Sequence, residues 1–169
     1  MKSGISTNTT ATLAATIGCL ILSQPVLAQD NAAKLYGSWK LISWVAQIVG
    51  EKSPPMEPFG PKPKGRLILM PDGHMMALLS TPDRKPAQND AERAALLQSM
   101  VAYTGTYTIE GDKWTTIVDQ SHNVTLMLQP QVRYFKVDGD KLYIRVPEGP
   151  TALFPGKRMT STLEWVREH

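Results

Sequence analysis

Apolar and polar residues alternate in short runs along most of the chain, which is the spacing of β-strands because successive side chains point to opposite faces. Short turns rich in glycine and aspartate separate several runs into pairs, a pattern typical of β-hairpins. The predicted strands cover residues 37–46, 67–70, 74–79, 103–109, 114–118, 131–137, 141–146 and 159–167. The sequence therefore predicts an all-β fold with about eight antiparallel strands.

The first strand opens with a glycine and a tryptophan, Gly37 and Trp39. Glycine lets the backbone enter a tightly packed site, and a buried indole needs an acceptor for its N–H group. Strict alternation places four residues on one face of this strand: Trp39, Leu41, Ser43 and Val45. Such an opening suits the plug at one end of a small antiparallel barrel.

One segment between the third and fourth strands has helical spacing instead. Asn89 or Asp90 can cap a helix over residues 91–101, in which apolar residues such as Leu97 recur at helical intervals. A loop with five prolines, residues 50–65, joins the first two strands. Because neither side of this loop could close a core alone, we expect one barrel domain with a short helix near its mouth.

The chain begins with a pattern typical of an export signal. A lysine and a polar stretch precede an apolar core at residues 13–22, and small residues ending at Ala28 form a cleavage site. The apolar core is too short to span a bilayer comfortably, since about 20 residues are needed. The predicted divisions are a signal peptide at residues 1–28, a short N-terminal lead at 29–36 and the barrel domain at 37–169.

This leader predicts a periplasmic or secreted protein without stable membrane insertion. Cys19, the single cysteine, leaves open the alternative of a lipid-anchored protein, but the apolar run continues past it and Thr16 stands where leucine is usual. Cleavage after Ala28 would leave a mature chain without cysteine, so neither a disulfide nor a thiolate site is predicted.

Charge and motifs exclude several classes of function. The 18 Lys and Arg residues against 15 Asp and Glu give a net charge of +3, and the basic residues are scattered, so no nucleic-acid partner is predicted. The sequence has no P-loop, no GxGxxG motif and no HxH or HExxH spacing. Neither a cofactor nor a metal site is therefore expected.

Of the three histidines, His122 has the most suggestive surroundings. It follows the fifth strand in a polar stretch, where it could form a network with Asp119 or simply bond locally in a loop. His74 directly follows a Pro-Asp-Gly turn and is predicted to cap it, while His169 is the last residue.

An arginine and two tyrosines complete the candidates. Arg133 points into the barrel if its strand neighbours face outward, and it could then anchor a carboxylate or enolate, pair with an internal acid, or cover Trp39. Tyr103 and Tyr107 share a face of the fourth strand, where a hydroxyl could orient or protonate a ligand or fill the interior.

Short stretches spread over residues 35–168 carry a family resemblance: 37–41, 65–68, 71–75, 82–84, 103–107, 131–135 and 163–165. In this order they resemble the bacterial and fungal lipocalin-like domain family, a branch of the calycin barrels. The resemblance implies a lipocalin-like barrel around an apolar cavity, with Gly37, Trp39, Trp165 and Arg167 in structural roles. It also implies that Arg167 packs across Trp39. Residues 123–130 depart from the family's Trp- and Gly-rich segment, so this wall of the cavity is less predictable.

We therefore expect an exported lipocalin-like protein that binds a small apolar or amphipathic molecule in its cavity. The predicted ligand contacts are Arg133, Tyr103, His122, Leu97, Met100 and Tyr107, the helix acting as a lid. The alternative is a cofactor-free isomerase, cyclase or hydro-lyase in which His122 or Tyr103 serves as acid or base and Arg133 stabilises negative charge. A third hypothesis is docking through the proline-rich loop. The oligomeric state stays open.

Overall fold

The computed structural model describes residues 32–151 and 153–169. Its strands are β1 (Gly37–Ile48), β2 (Lys64–Leu69), β3 (His74–Ser80), β4 (Met100–Glu110), β5 (Lys113–Ser121), β6 (Gln131–Asp138), β7 (Lys141–Pro150) and β8 (Arg158–Glu168). Helix α1 (Asp90–Gln98) lies between β3 and β4, and a 3₁₀ turn (Val124–Met127) lies between β5 and β6. The predicted signal peptide at 1–28 falls outside the described residues.

Each strand pairs antiparallel with the next, and β8 returns to pair with β1, so the sheet closes into a barrel. The predicted fold, an eight-stranded antiparallel barrel with one short inserted helix, is thereby confirmed. Among the described helices, none has the length and apolar character needed to cross a bilayer.

The two ends of the barrel differ. Three tight hairpin turns lie at one end, and each contains a glycine with positive φ: Gly73, Gly111 and Gly139. We call this the closed end. The longer connections, including α1 and the proline-rich loop, lie at the opposite end, which we call the mouth.

Trp39 seals the closed end. Its side chain is fully buried, and its indole Nε1–H donates to the Leu35 carbonyl oxygen at 2.8 Å. The Arg167 guanidinium stacks 4.1 Å from the centre of the ring and donates to the Tyr36 carbonyl oxygen at 2.7 Å. At Gly37 the backbone φ is 124°, and an added Cβ would meet Arg167 Nη1 at 3.1 Å. The short lead before β1 therefore belongs to the plug.

A β-bulge in β1 changes which side chains point inward. The pairing with β8 shifts between Leu41 and Ser43, leaving Ile42 facing out and 43% exposed. One inserted residue reverses the alternation, so Trp44 instead of Ser43 points into the core. The predicted shared face of Trp39, Leu41, Ser43 and Val45 is thus wrong beyond Leu41.

The proline-rich loop folds back onto the barrel where β2 is too short to pair with the second half of β1. Met56 and Ala46 exchange backbone hydrogen bonds of 2.8 Å, and Phe59 packs edge-on against Trp44 with ring centres 4.9 Å apart. Phe59 is 4% exposed. Because its largest apolar side chain is used internally, this loop gives little support to the docking hypothesis.

Helix α1 is shorter than predicted. Asn89 caps it by accepting from the Glu92 N–H at 2.9 Å, as the sequence suggests. The helix ends at Gln98, whereas the prediction extended to residue 101. Met100 begins β4 and pairs with Ser80 of β3, so strand pairing replaces the last helical turn.

Candidate functional site

A large cavity, about 970 Å³, lies inside the described barrel and opens at the mouth. This volume lies at the upper end of the range typical of small-molecule pockets. Its inner part is lined by apolar side chains: Trp44, Leu67, Leu79, Trp114, Leu163 and Trp165. Polar side chains also contribute to the lining: Gln98, His122, Asn123, Gln129, Gln131 and Arg133.

Three of the four tryptophans line this cavity: Trp44, Trp114 and Trp165. Trp114 Nε1–H donates to Thr116 Oγ1 at 2.7 Å. The buried indole N–H groups of Trp44 and Trp165 have no acceptor among the described residues. Indole emission is therefore a direct reporter of what occupies the cavity.

Arg133 reaches the interior through the register of β5 and β6. Residues directly opposite in an antiparallel pair project from the same face, and Arg133 lies opposite Trp114, which is 1% exposed inside the barrel. Arg133 Nη1–H donates to the Val132 carbonyl oxygen at 2.7 Å. Two of the roles considered for it are not realised, because Arg167 covers Trp39 and no described carboxylate pairs with Arg133.

His122 directly follows β5 and forms hydrogen bonds with the backbone of β4. Its Nδ1 lies 3.1 Å from the Ala102 backbone N–H, and its own backbone N–H donates to the Ala102 carbonyl oxygen at 3.0 Å. Nδ1 also lies 3.1 Å from the Ala102 carbonyl oxygen, so this ring nitrogen faces both backbone polar groups of Ala102. The predicted network with Asp119 does not form, because Asp119 accepts from Thr104 Oγ1 at 2.6 Å instead.

Helix α1 lies over the mouth with little anchoring. None of its residues is buried, yet Leu97, which is 51% exposed, and the following Met100 both line the cavity. Arg84 holds the end of the helix by donating to the Leu96 carbonyl oxygen at 2.9 Å and to Ser99 Oγ at 3.1 Å. This geometry is compatible with a lid that can move.

Comparison with models of known protein families identifies the family of this chain. The family model for the lipocalin-like domain matches residues 36–168. The chain belongs to the lipocalin-like domain family. A search of curated proteins found no match to it.

Tyr103 and Tyr107 differ in position within the lipocalin-like barrel. Tyr103 lines the cavity, as does His122, whereas Tyr107 lies toward the closed end and is not part of the lining. The Tyr107 hydroxyl donates to the Met70 carbonyl oxygen at 2.8 Å, and burial raises the pKa of this tyrosine to about 12. The prediction that Tyr107 contacts the ligand does not fit this placement, since its hydroxyl is already used in the wall.

The residues predicted to be structural lie in two places. Gly37, Trp39 and Arg167 meet at the closed end, as described above. Trp165, 2% exposed, lies opposite Leu41 and lines the inner cavity, so it also forms part of the candidate site.

Two parts of the lipocalin-like site were not predicted from the sequence. Trp114 could have been found, since it alternates with Thr116 on the inner face of the fifth strand. The ion pair between Arg158 Nε and Glu148 Oε1, 2.7 Å long in the cavity lining, depends on a bulge between β7 and β8 that leaves no local signal.

In the described ranges, no cluster of three or more His, Cys, Asp or Glu side chains is arranged to hold a metal ion. The sequence-based expectation of no metal and no cofactor stays a prediction.

Proposed function

We propose that this lipocalin-like protein is an exported carrier that holds one small apolar or amphipathic molecule in the barrel cavity. The observation that carries this proposal is the cavity of about 970 Å³, which opens at the mouth and is lined mostly by apolar residues. Burial of apolar ligand surface contributes roughly 25 cal/mol per Å², so this lining favours an apolar body. The polar residues of the lining suit a ligand with one polar end.

An enzyme acting in the same cavity is the alternative, and it would need a group free to accept a proton. The Nδ1 atom of His122 is engaged by the backbone of Ala102, and the Glu148 carboxylate is paired with Arg158. Tyr103 could still act as an acid. The arrangement therefore supports a carrier better than acid–base catalysis.

Binding is tested by titrating the mature protein with a fatty acid that carries an anthroyloxy fluorophore. Because three tryptophans line the cavity, we expect saturable quenching of their emission and energy transfer to the probe. Unlabelled dodecanoic acid or dodecanol should displace the probe. Absence of saturable transfer from all of these probes would count against the carrier function.

Two exposed leucines at the mouth provide a matched pair of variants. Leu97 lines the cavity, whereas Leu128, 77% exposed, does not. We expect Leu97→Ala to weaken probe binding about three- to tenfold by removing apolar contact, and Leu128→Ala to leave it unchanged. Equal affinities in the two variants would remove α1 as a part of the binding site.

The export proposal rests on the signal pattern at residues 1–28. We expect the protein recovered from the periplasm or medium to begin at Gln29, which intact-mass measurement checks directly. A mass that includes Cys19 with an acyl modification would instead establish the lipid-anchored alternative.

A further inference from the structure

The cavity lining includes a cation whose charge no carboxylate in the described part of the chain balances. Three residues of formal charge line it: Arg133, Glu148 and Arg158. Glu148 and Arg158 neutralise each other through their ion pair. Arg133 forms no ion pair with any carboxylate in the described ranges, so the lining has a net positive charge centred on this guanidinium.

The guanidinium of Arg133 also retains unused donors. Its described hydrogen bond is the one from Nη1 to the Val132 carbonyl oxygen, which orients the group but uses one of five N–H donors. Arg133 is only partly exposed, so water compensates these donors incompletely. A bound anion would supply both the missing charge and the missing acceptors, and a carboxylate can do so through two parallel hydrogen bonds.

The position of Arg133 gives the ligand a direction. It lies opposite Trp114, the second residue of β5, and β5 begins at a closed-end turn. Leu97 of α1 and Met100, which follows this helix, line the cavity at the mouth. A ligand that reaches Arg133 with its charged end therefore extends its apolar chain toward the mouth.

We propose that the cavity selects an amphiphile with a single carboxylate, which enters headgroup first, binds Arg133 and leaves its apolar tail beneath α1. This inference rests on the proposed carrier function and adds the ligand's charge and its orientation. The pairing and position of Arg133 are the observations that carry it.

The charge is tested by comparing dodecanoic acid with its methyl ester, which has the same chain but no negative charge. Both are titrated as unlabelled competitors of the anthroyloxy probe into the wild-type protein and into Arg133→Met, which keeps the length of the side chain. We expect the wild type to bind the acid about 10- to 100-fold more tightly than the ester. In Arg133→Met the affinity for the acid should fall to that for the ester, while the affinity for the ester should change little.

Arg145→Met is the matched control for loss of one positive charge. The Arg145 guanidinium lies 4.3 Å from the centre of the Tyr134 ring, and Arg145 is exposed and does not line the cavity. This variant should retain the preference for the acid. Arg133→Lys should recover part of it, because lysine restores the charge but not the paired donors.

The orientation is tested with two labelled acids, one with the fluorophore at the far end of the tail and one with it beside the carboxylate. A label at the tail end should be tolerated, because it lies at the open mouth, and a label beside the carboxylate should weaken binding. The opposite order would overturn the headgroup-first orientation.

Equal binding of acid and ester by the wild type would overturn the anion site while leaving the carrier function intact. Failure of acid, ester and labelled acids alike would contradict the carrier function and this inference with it.

Discussion

Replacing Trp39 with alanine is expected to lower the free energy of unfolding by about 3 to 5 kcal/mol, since it leaves a large cavity in a packed core. The ring is fully buried. The substitution also removes the hydrogen bond to Leu35 and the surface on which Arg167 stacks. Urea unfolding of the mature protein, followed by circular dichroism, measures the change.

Arg167→Ala should cost less, about 1 to 3 kcal/mol, because its side chain is 21% exposed and its bonds are to backbone oxygens that water can reach in part. Trp39→Phe separates packing from hydrogen bonding, as it keeps an aromatic ring but not the N–H. Near-wild-type stability of Trp39→Ala would show that the closed end contributes little to folding.

The hairpins were predictable because their signals are local. Residue pairs such as Asp72 and Gly73 combine turn chemistry with a glycine that adopts positive φ, and alternating runs flank each turn. Three hairpins and an opening strand leave few ways to form one core, so the barrel follows from short-range pattern and from the family resemblance together.

The errors arose where a distant segment decides the local structure. The bulge at Ile42 is set by pairing with β8, which lies more than a hundred residues away in sequence. No property of Ile42 itself predicts it. The end of α1 is likewise set by pairing of Met100 with Ser80. Because side chains alternate between the two faces of a strand, one inserted residue moves every later side chain to the opposite face.

The candidate site was predictable to the same extent. Alternation places Arg133 inside the barrel if Val132 and Tyr134 face outward, and the structure has Arg133 in the cavity lining. The hydrogen-bond partner of His122 was not predictable. Its ring nitrogen contacts the backbone of Ala102, and the sequence does not indicate which backbone groups at the end of a strand lack a strand partner.

A second bulge makes Gly105 the most constrained glycine of the barrel. The pairing of β4 with β5 shifts between Thr104 and Gly105. The two backbones approach so closely there that a Cβ on Gly105 would overlap the Ile117 carbonyl oxygen and lie 3.0 Å from Val118 Cα. Backbone atoms held by strand pairing cannot move away as a flexible side chain can.

Gly105→Ala is therefore expected to destabilise the barrel by about 3 kcal/mol or more, at the upper end of overpacking effects. Gly149→Ala is the matched control, because Gly149 also follows a bulge but its nearest neighbour to an added Cβ is Pro147 O at 3.9 Å. The control should change stability by no more than about 0.5 kcal/mol. Thermal and urea unfolding of both variants give the comparison. Similar stabilities would mean that β4 and β5 can separate at the bulge without loss, and that the wall carrying Tyr103 is less rigid than its hydrogen bonds indicate.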